Sequence, residues 1–379
     1  MKLARMFGCA RVVYNDALRL REQAHAAGVK VSDSEVQRRV ITLAKLTPER
    51  AWLAEVPSVA LVQACNDAHR AYRNWFDSLA GVRKGRRVGR PVFRRKHGKQ
   101  SVRLTRNGFS LRGQRLYVAK AGEIRLRWSR PLPSVPSSVT VIREPDGRYY
   151  ASFVVERAAA PLPPSGREIG VDMGLNRLAV TSDGEIIANP RFLRGQQRRL
   201  ARAQRALCGK AKGSTNRVKA RRRVAVVHRK IREGRLDHAH KIALALVRDN
   251  QAVYAEDLAG SGLARTRLAK SVHDAGWAQL LRLIGEKAGQ YGRTFHKINR
   301  FAPSTQTCSA CGTNDGPKPL HMRNWQCEAC GAVHDRDVNA AINILAAGRA
   351  ERLNACGGTV TPGASLARPG ETGTHRGAA

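Results

Sequence analysis

The chain has 379 residues, 42% of them hydrophobic, with 68 Lys and Arg against 29 Asp and Glu, a formal charge of +39. That length and apolar content suit two to three domains, and no run of eighteen apolar residues offers a membrane span. The start, Met1-Lys2-Leu3-Ala4-Arg5, lacks the apolar stretch of a secretory leader, so the protein is expected in the cytoplasm, associated with the nucleoid. Confining so much like charge is unfavourable, and a polyanionic partner relieves it, with salt-sensitive binding as counterions are released. A membrane suits the charge less well, because no basic amphipathic helix with a bulky apolar face stands out.

Residues 1–82 read as helical. Phe7, Ala10, Val13, Tyr14 and Leu18 recur at helical spacing, as do Ala60, Leu61, Ala64, Ala68 and Tyr72. Ser32 and Glu35 have the spacing of a capping box, and Pro57-Ser58 suits a second helix start. From Arg83 to Arg106 there follow eleven Lys or Arg in twenty-four residues with no acid, and Gly85, Gly89, Pro91 and Gly98 exclude a regular helix. A phosphate-gripping arm, including Arg94, Arg95 and Lys96, is expected, against a merely solvated loop.

The arm leads into alternating sequence over 101–157, where Pro145-Asp146-Gly147 marks a turn between two strands and a small β-barrel or sheet is expected. Residues 158–166, with Pro161, Pro163 and Pro164, read as a linker. Next comes Glu168-Ile169-Gly170-Val171-Asp172-Met173-Gly174, a short apolar strand carrying an acid, with a second strand over 178–181 and a turn at Asp183-Gly184. A carboxylate beside a strand-end glycine can approach a metal or a phosphate. The motif by itself fits a nuclease, an actin-like ATPase or sugar kinase, or an incidental surface acid.

Residues 191–249 suggest a basic helical hairpin. Seventeen Lys or Arg accompany one acid, Glu233, over 191–235, and Arg194, Arg198, Arg202 and Arg205 fall on one helix face, a comb for a nucleic-acid backbone. Glu256 then sits in the apolar strand Ala252–Leu258, and Asp337 near the start of a helix of small residues. A helix N-terminus favours an acid for its own sake, and Glu256 could be a plain strand-end residue.

Eight cysteines divide into two sets. Cys9, Cys65, Cys208 and Cys356 are scattered, whereas Cys308, Cys311, Cys327 and Cys330 form C-x2-C, fifteen residues, C-x2-C. Two such knuckles supply four thiolates for one tetrahedral Zn²⁺ whose shell is closed, hence structural and not catalytic.

Taken with Asp172, Glu256 and Asp337, the segments Gly170–Gly174, Tyr254–Leu258, Asp274-Ala275-Gly276-Trp277, Pro303–Cys308 and Asp335–Ile344 resemble the TnpB (OrfB) family, transposon-encoded RNA-guided endonucleases related to type V CRISPR effectors. The resemblance runs over about residues 5–365. It implies an α+β multidomain fold: a helical recognition lobe (1–82), a basic arm with a β-barrel wedge domain (83–157), a linker, and a RuvC/RNase H-like nuclease domain (167–301 and 334–350). A zinc ribbon inserted over 302–333 would act as a target-nucleic-acid-binding module, and the tail over 351–379 is expected to be disordered.

The resemblance also implies a chemistry. Asp172 would bridge two Mg²⁺ ions, with Glu256 and Asp337 each completing one shell, since hard Mg²⁺ takes oxygen ligands. Asp335 competes for the third place, but the family motif puts the acid directly before x-Asn-Ala; Asp257 and Asp183 fit less well. The implied partners are a guide RNA from the transposon end and a double-stranded DNA target beside a short adjacent motif, with a monomer expected. Ser58, Val62 and Gln63, on the helix opening at Pro57-Ser58, would read that motif. A nuclease-inactive RNA-guided DNA-binding repressor is the alternative, although such descendants lose one or more acids and all three are present. The family's opening β-strand is expected to be missing, because Met1 lies only a few residues before Gly8-Cys9-Ala10-Arg11.

Overall fold

The computed structural model describes residues 2–355 apart from 97, 259 and 320. It divides into two compact units, Met1–Ala158 with Arg221–Ala225, and Ala159–Ala220 with Val226–Ala379.

The first unit opens with helices α1 (Lys2–Ala26), α2 (Asp33–Gln37) and α3 (Ser58–Leu79), the last two separated by short, irregular helical turns. Every apolar residue predicted to line α1 and α3 is buried. Ser32 caps α2, its hydroxyl accepting from the Glu35 amide at 3.2 Å, while the Glu35 carboxylate turns to Arg38 and Arg39 instead of closing the box. Six strands follow: β1 (Gln100–Thr105), β2 (Phe109–Arg112), β3 (Arg115–Val118), β4 (Gly122–Arg125), β5 (Ser138–Arg143) and β6 (Tyr149–Val154). They pair into two antiparallel sheets, β1-β5-β6 and β2-β3-β4, and no closed ring appears among the described pairings. Among its described residues the basic arm is therefore irregular only as far as Lys99; Gln100–Thr105 are a sheet strand and Arg106 opens the short helical turn after it.

The second unit holds β7 (Glu168–Met173), β8 (Arg177–Thr181), β9 (Ile186–Ala188), α4 (Phe192–Cys208), α5 (Thr215–Asp249, apart from Arg221–Ala225), β10 (Ala252–Glu256), α6 (Gly260–Leu263), α7 (Ala269–Ala275), α8 (Trp277–Tyr291), β11 (Thr294–Ile298), β12 (Asn324–Gln326), β13 (Val333–Asp335) and α9 (Arg336–Ala355). Its main sheet runs β11-β10-β7-β8-β9: β7, β8 and β9 form an antiparallel meander, while β10 and β11 add in parallel beyond β7. The last helix continues through the first residues of the expected tail, and 356–379 lie outside the described residues.

Alternation along the strands assigns the two faces of this sheet. Ile169, Val171, Met173 and Val253 join a core with Ala243, Val247, Leu280 and Ile284 of α5 and α8. Ala252 and Tyr254 turn the other way, into a cluster with Ile344 of α9. Two glycines permit that helix to lie close. A methyl group on Gly170 would sit 2.1 Å from the Ala341 carbonyl oxygen, and one on Gly348 would sit 2.1 Å from the Tyr254 ring. Progress along β7 from Gly170 to Asp172 thus runs toward the N-terminus of α9.

Candidate active site and metal centre

Asp172 follows Gly170 by two residues and shares its face of β7. Glu256 shares the corresponding face of β10, one step beyond the last registered pair, Ala255 and Val171. Asp337 stands in the first turn of α9, over the same strand ends. The three acids feel one another: burial, then the charges of Glu256 and Asp337, push the Asp172 carboxyl up to about 7, against the Met173 amide and Arg336. Such mutual repulsion in a partly buried carboxylate set is what a multivalent cation relieves, and its donors are all oxygen.

Neighbouring side chains hold the other two acids. Ser304 donates its hydroxyl to Glu256 Oε1 at 2.5 Å. Asp337 accepts from Arg323 at 3.0 and 3.2 Å and from Arg177 at 3.4 Å. Asp335 is differently employed. Its Oδ1 accepts from the amides of Asp337 at 2.9 Å and Val338 at 3.1 Å, capping α9, and its Oδ2 lies 3.1 Å from Arg177. Burial works to raise its pKa, but the Val338 amide and Arg177 outweigh it and hold the carboxyl below the ordinary range.

The four knuckle cysteines form the only described set of three or more metal-ligating groups whose donor atoms all lie within 4.8 Å of one another. Cys308–Cys330 and Cys311–Cys327 sulfurs are both 3.7 Å apart, and a tetrahedron with Zn–S of about 2.3 Å has edges of about 3.8 Å. The set fits one zinc ion. Both knuckles are built alike: Gly312 and Gly331 take positive φ and donate to the Cys308 and Cys327 carbonyls at 2.8 and 2.9 Å. Thr313 holds the Cys311 thiol down at about 6 through its hydroxyl and amide. His334 Nε2 lies 3.0 Å from Cys308 Sγ.

Several site residues escaped sequence reading. Asn339, buried, accepts from the Ser309 amide and donates to the Thr307 carbonyl, each at 2.8 Å, and Asn343 donates to the carbonyls of Ser304 and Thr307 at 2.8 and 2.6 Å. Between them Ala340 and Ala341 are fully buried, so the Asn-Ala-Ala-x-x-Asn spacing pins the ribbon stem to α9 while the helix presses on the sheet. Asp274 accepts from the Leu193 and Arg194 amides at 2.8 and 3.1 Å and from Arg235 at 3.2 Å, fixing the start of α4. The only sequence signal was that these residues lie in the segments that carry the family resemblance.

The residues expected to touch nucleic acid divide. Arg194, Arg198, Arg202 and Arg205 are exposed along α4, as are Arg95 and Lys96 on the arm. Arg94 departs from expectation: its guanidinium lies 3.8 Å above the Tyr14 ring and 2.9 Å from Asp67, and its amide donates to Asn15 at 2.8 Å. It ties the arm to α1 and α3, and its charge is already matched. The trio on α3 divides as well, since Val62 packs against the core and the Ser58 hydroxyl accepts from Lys45 at 2.9 Å, leaving Gln63 half-buried.

A Streptomyces pristinaespiralis protein named "Putative RNA-guided DNA endonuclease" is 42% identical over 376 residues, covering 98% of this chain and 91% of its own length. The chain belongs to the OrfB (TnpB) family. InsQ of Escherichia coli K12, similarly named, is 30% identical, with 96% and 92% of the two chains covered. The OrfB family model described as "Probable transposase" matches residues 149–267, a Cas12f1-like TNB domain matches 277–344, and a helix-turn-helix domain matches 1–30. Within that match, Lys2–Ala26 form α1. Among solved structures, a Cas12f1–sgRNA–target DNA complex is similar in fold, with a TM-score of 0.56 at 14% identity over 90% of this chain and 81% of that one. The α+β class is thus shared with that structure, and the TNB match contains the cysteine knuckles.

Proposed function

We propose that this protein is a transposon-associated RNA-guided DNA endonuclease that hydrolyses phosphodiesters at a RuvC-type centre of Asp172, Glu256 and Asp337. Family membership supports the activity. The observation that carries the site is the convergence of three acids at one end of the sheet: Asp172 on β7, Glu256 beside it on β10 and Asp337 in the first turn of α9. They lie close enough that burial and the other two charges push the Asp172 carboxyl up to about 7. Asp172, Glu256 and Asp337 would hold two Mg²⁺ ions, which when bound supply an activated water and charge for the leaving alkoxide. Asp335 is left to cap the helix that presents Asp337, and Ser304 orients Glu256. The zinc held by Cys308, Cys311, Cys327 and Cys330 folds the ribbon and takes no part in hydrolysis.

In this reading α1–α3 form a recognition lobe, and the two sheets of β1–β6 form a wedge domain. Arg95, Lys96 and the exposed arginines of α4 bind phosphates of a guide RNA and its DNA target, setting affinity while base pairing supplies sequence. Gln63 stands as the motif-reading candidate of the α3 trio. The working form is a monomer in the bacterial cytoplasm.

The test is to purify the full chain, sequence the RNA that accompanies it, and offer plasmids carrying the guide-matched target beside a randomised motif. Mg²⁺-dependent cutting next to a defined motif is expected. Guided binding without cutting, with all three acids intact, would instead support the repressor reading.

A further inference from the structure

The last two turns of α3 carry an aromatic step. Tyr72 is buried, Trp75 half-buried and Phe76 55% exposed, with Phe76 stacked on Trp75 at 4.9 Å and 30° and on Tyr72 at 6.1 Å and 26°. Two deeper rings thus hold Phe76 in place and leave much of it open to solvent. Leu79 and Val82, at 50% and 74% exposure, extend the apolar surface.

The chain around this step is cationic and folded back on the helix. Gly81 takes a φ of +72°, Arg83 donates its amide to the Asp77 carbonyl at 3.0 Å, and the Val88 amide donates to the Ser78 hydroxyl at 2.8 Å. Residues 83–87 are therefore a closed loop at the end of α3, carrying Arg83, Lys84, Arg86 and Arg87. Among the described residues Lys84, Arg86 and Arg87 form no ion pair, whereas Arg90, beyond the loop, lies 3.1 Å from Glu22. One exposed ring beside unmatched cations suits a partner that is apolar and planar on one part and anionic on the next. An unpaired nucleotide has that chemistry: base on the ring, phosphates on the loop.

We infer that Phe76, backed by Trp75 and Tyr72, is a stacking platform for an unpaired base of a single-stranded nucleic acid whose backbone is held by Lys84, Arg86 and Arg87. The site rests on the reading that nucleic acid is the partner, and adds a base-contacting surface within the helical lobe. It reads no sequence, because every base offers a π-face.

The test uses the full-length protein stripped of RNA in high salt, and a single-stranded oligothymidine 12-mer carrying one 2-aminopurine. Binding should change the 2-aminopurine emission, and Phe76→Ala should weaken binding on the order of tenfold, Phe76→Leu nearly as much, and Phe76→Trp little. The salt slope should stay unchanged in Phe76→Ala, whereas Arg86→Ala with Arg87→Ala should lower it by about 0.7 for each phosphate set free. An abasic 12-mer should bind wild type and Phe76→Ala alike. Because Phe76 is half outside the core, unchanged melting of Phe76→Ala checks that the fold persists. Equal affinity of wild type and Phe76→Ala for the base-bearing strand would overturn the platform while leaving nucleic-acid binding intact, and Phe76→Ala changing only the oligomeric state would assign the face to a second copy. A wild-type protein that binds no strand at all would instead remove the nucleic-acid reading itself.

Discussion

The hydroxyl of Ser304 donates to Glu256 Oε1 at 2.5 Å, and the carbonyl of the same serine accepts from Asn343 of α9 at 2.8 Å. A residue at the base of the zinc ribbon therefore holds an acid on the sheet and is itself held by the helix that presents Asp337. Outer hydrogen bonds of this kind fix the orientation of a metal-ligating carboxylate. Ser304→Ala is expected to lower cleavage by about 10–100-fold and to raise the Mg²⁺ concentration for half-maximal cutting, with Ser304→Thr recovering part of both. Calorimetric titration of Mn²⁺ into the protein without DNA should show the same weakening, and identical Mn²⁺ affinity in Ser304→Ala would deny the serine this role.

Asp335 and Asp337 should separate in function. Asp337→Ala, like Asp172→Ala and Glu256→Ala, is expected to abolish cleavage while RNA binding stays near wild type, since the basic surfaces are untouched. Asp335→Ala removes the carboxylate oxygen that accepts from two amides at the start of α9 and should cost about 0.5–2 kcal/mol of stability, with cutting reduced and not lost. Full cutting by Asp337→Ala with loss in Asp335→Ala would reverse the assignment.

Stability of the metal-free protein should depend on Asp172. Its folded pKa of about 7 lies above the ordinary carboxyl value of 3.8, so the folded chain binds the proton more tightly than the unfolded chain does. The contribution is complete below about pH 4 and falls as pH rises through 7, by up to about 4 kcal/mol for a shift of this size. Asp172→Asn should remove that fall, so thermal melts in chelator should show the variant gaining on wild type between pH 5 and 8. Parallel pH curves for the two would refute the coupling.

Zinc should be stoichiometric and structural. Cys308→Ser or Cys327→Ser is expected to lower zinc content and to expose residues 302–335 to proteolysis, because a four-thiolate site contributes folding free energy directly. Elemental analysis finding no zinc in the purified wild type would dispose of the site.

The arm should show two kinds of basic residue. Arg94→Ala gives up its stacking on Tyr14 and its ion pair with Asp67, and should destabilise the first unit by roughly 1–2 kcal/mol. Arg95→Ala with Lys96→Ala should leave melting unchanged and lower the salt slope of nucleic-acid binding by about one for each phosphate no longer held. Motif choice should follow Gln63→Ala alone among these changes, and an unaltered motif preference there would move the reading surface elsewhere.

Local chemistry was legible in the sequence wherever a short stretch contained all of its own cause. The two cysteine knuckles could be read because each carries two ligands and the following glycine that its turn requires. The buried stripes of α1 and α3 could be read because burial at helical spacing depends on one helix alone, and the hairpin at Pro145-Asp146-Gly147 for a like reason. The three acids came from a family pattern, and the sheet explains that pattern: residues two apart on β7 share a face, and α9 starts above that face. What only the tertiary structure decided are the pairings between distant residues. Ser304 and Glu256 are 48 positions apart, Asp274 and Leu193 are 81, and Arg94 and Asn15 are 79. A serine in a loop, an aspartate in the last turn of a short helix or an arginine in a basic run has many possible partners, and nothing in its neighbours selects one. Close packing selects it, as when Gly170 and Gly348 let α9 settle on the sheet and carry the ribbon stem, with Ser304, to the edge of the acidic site.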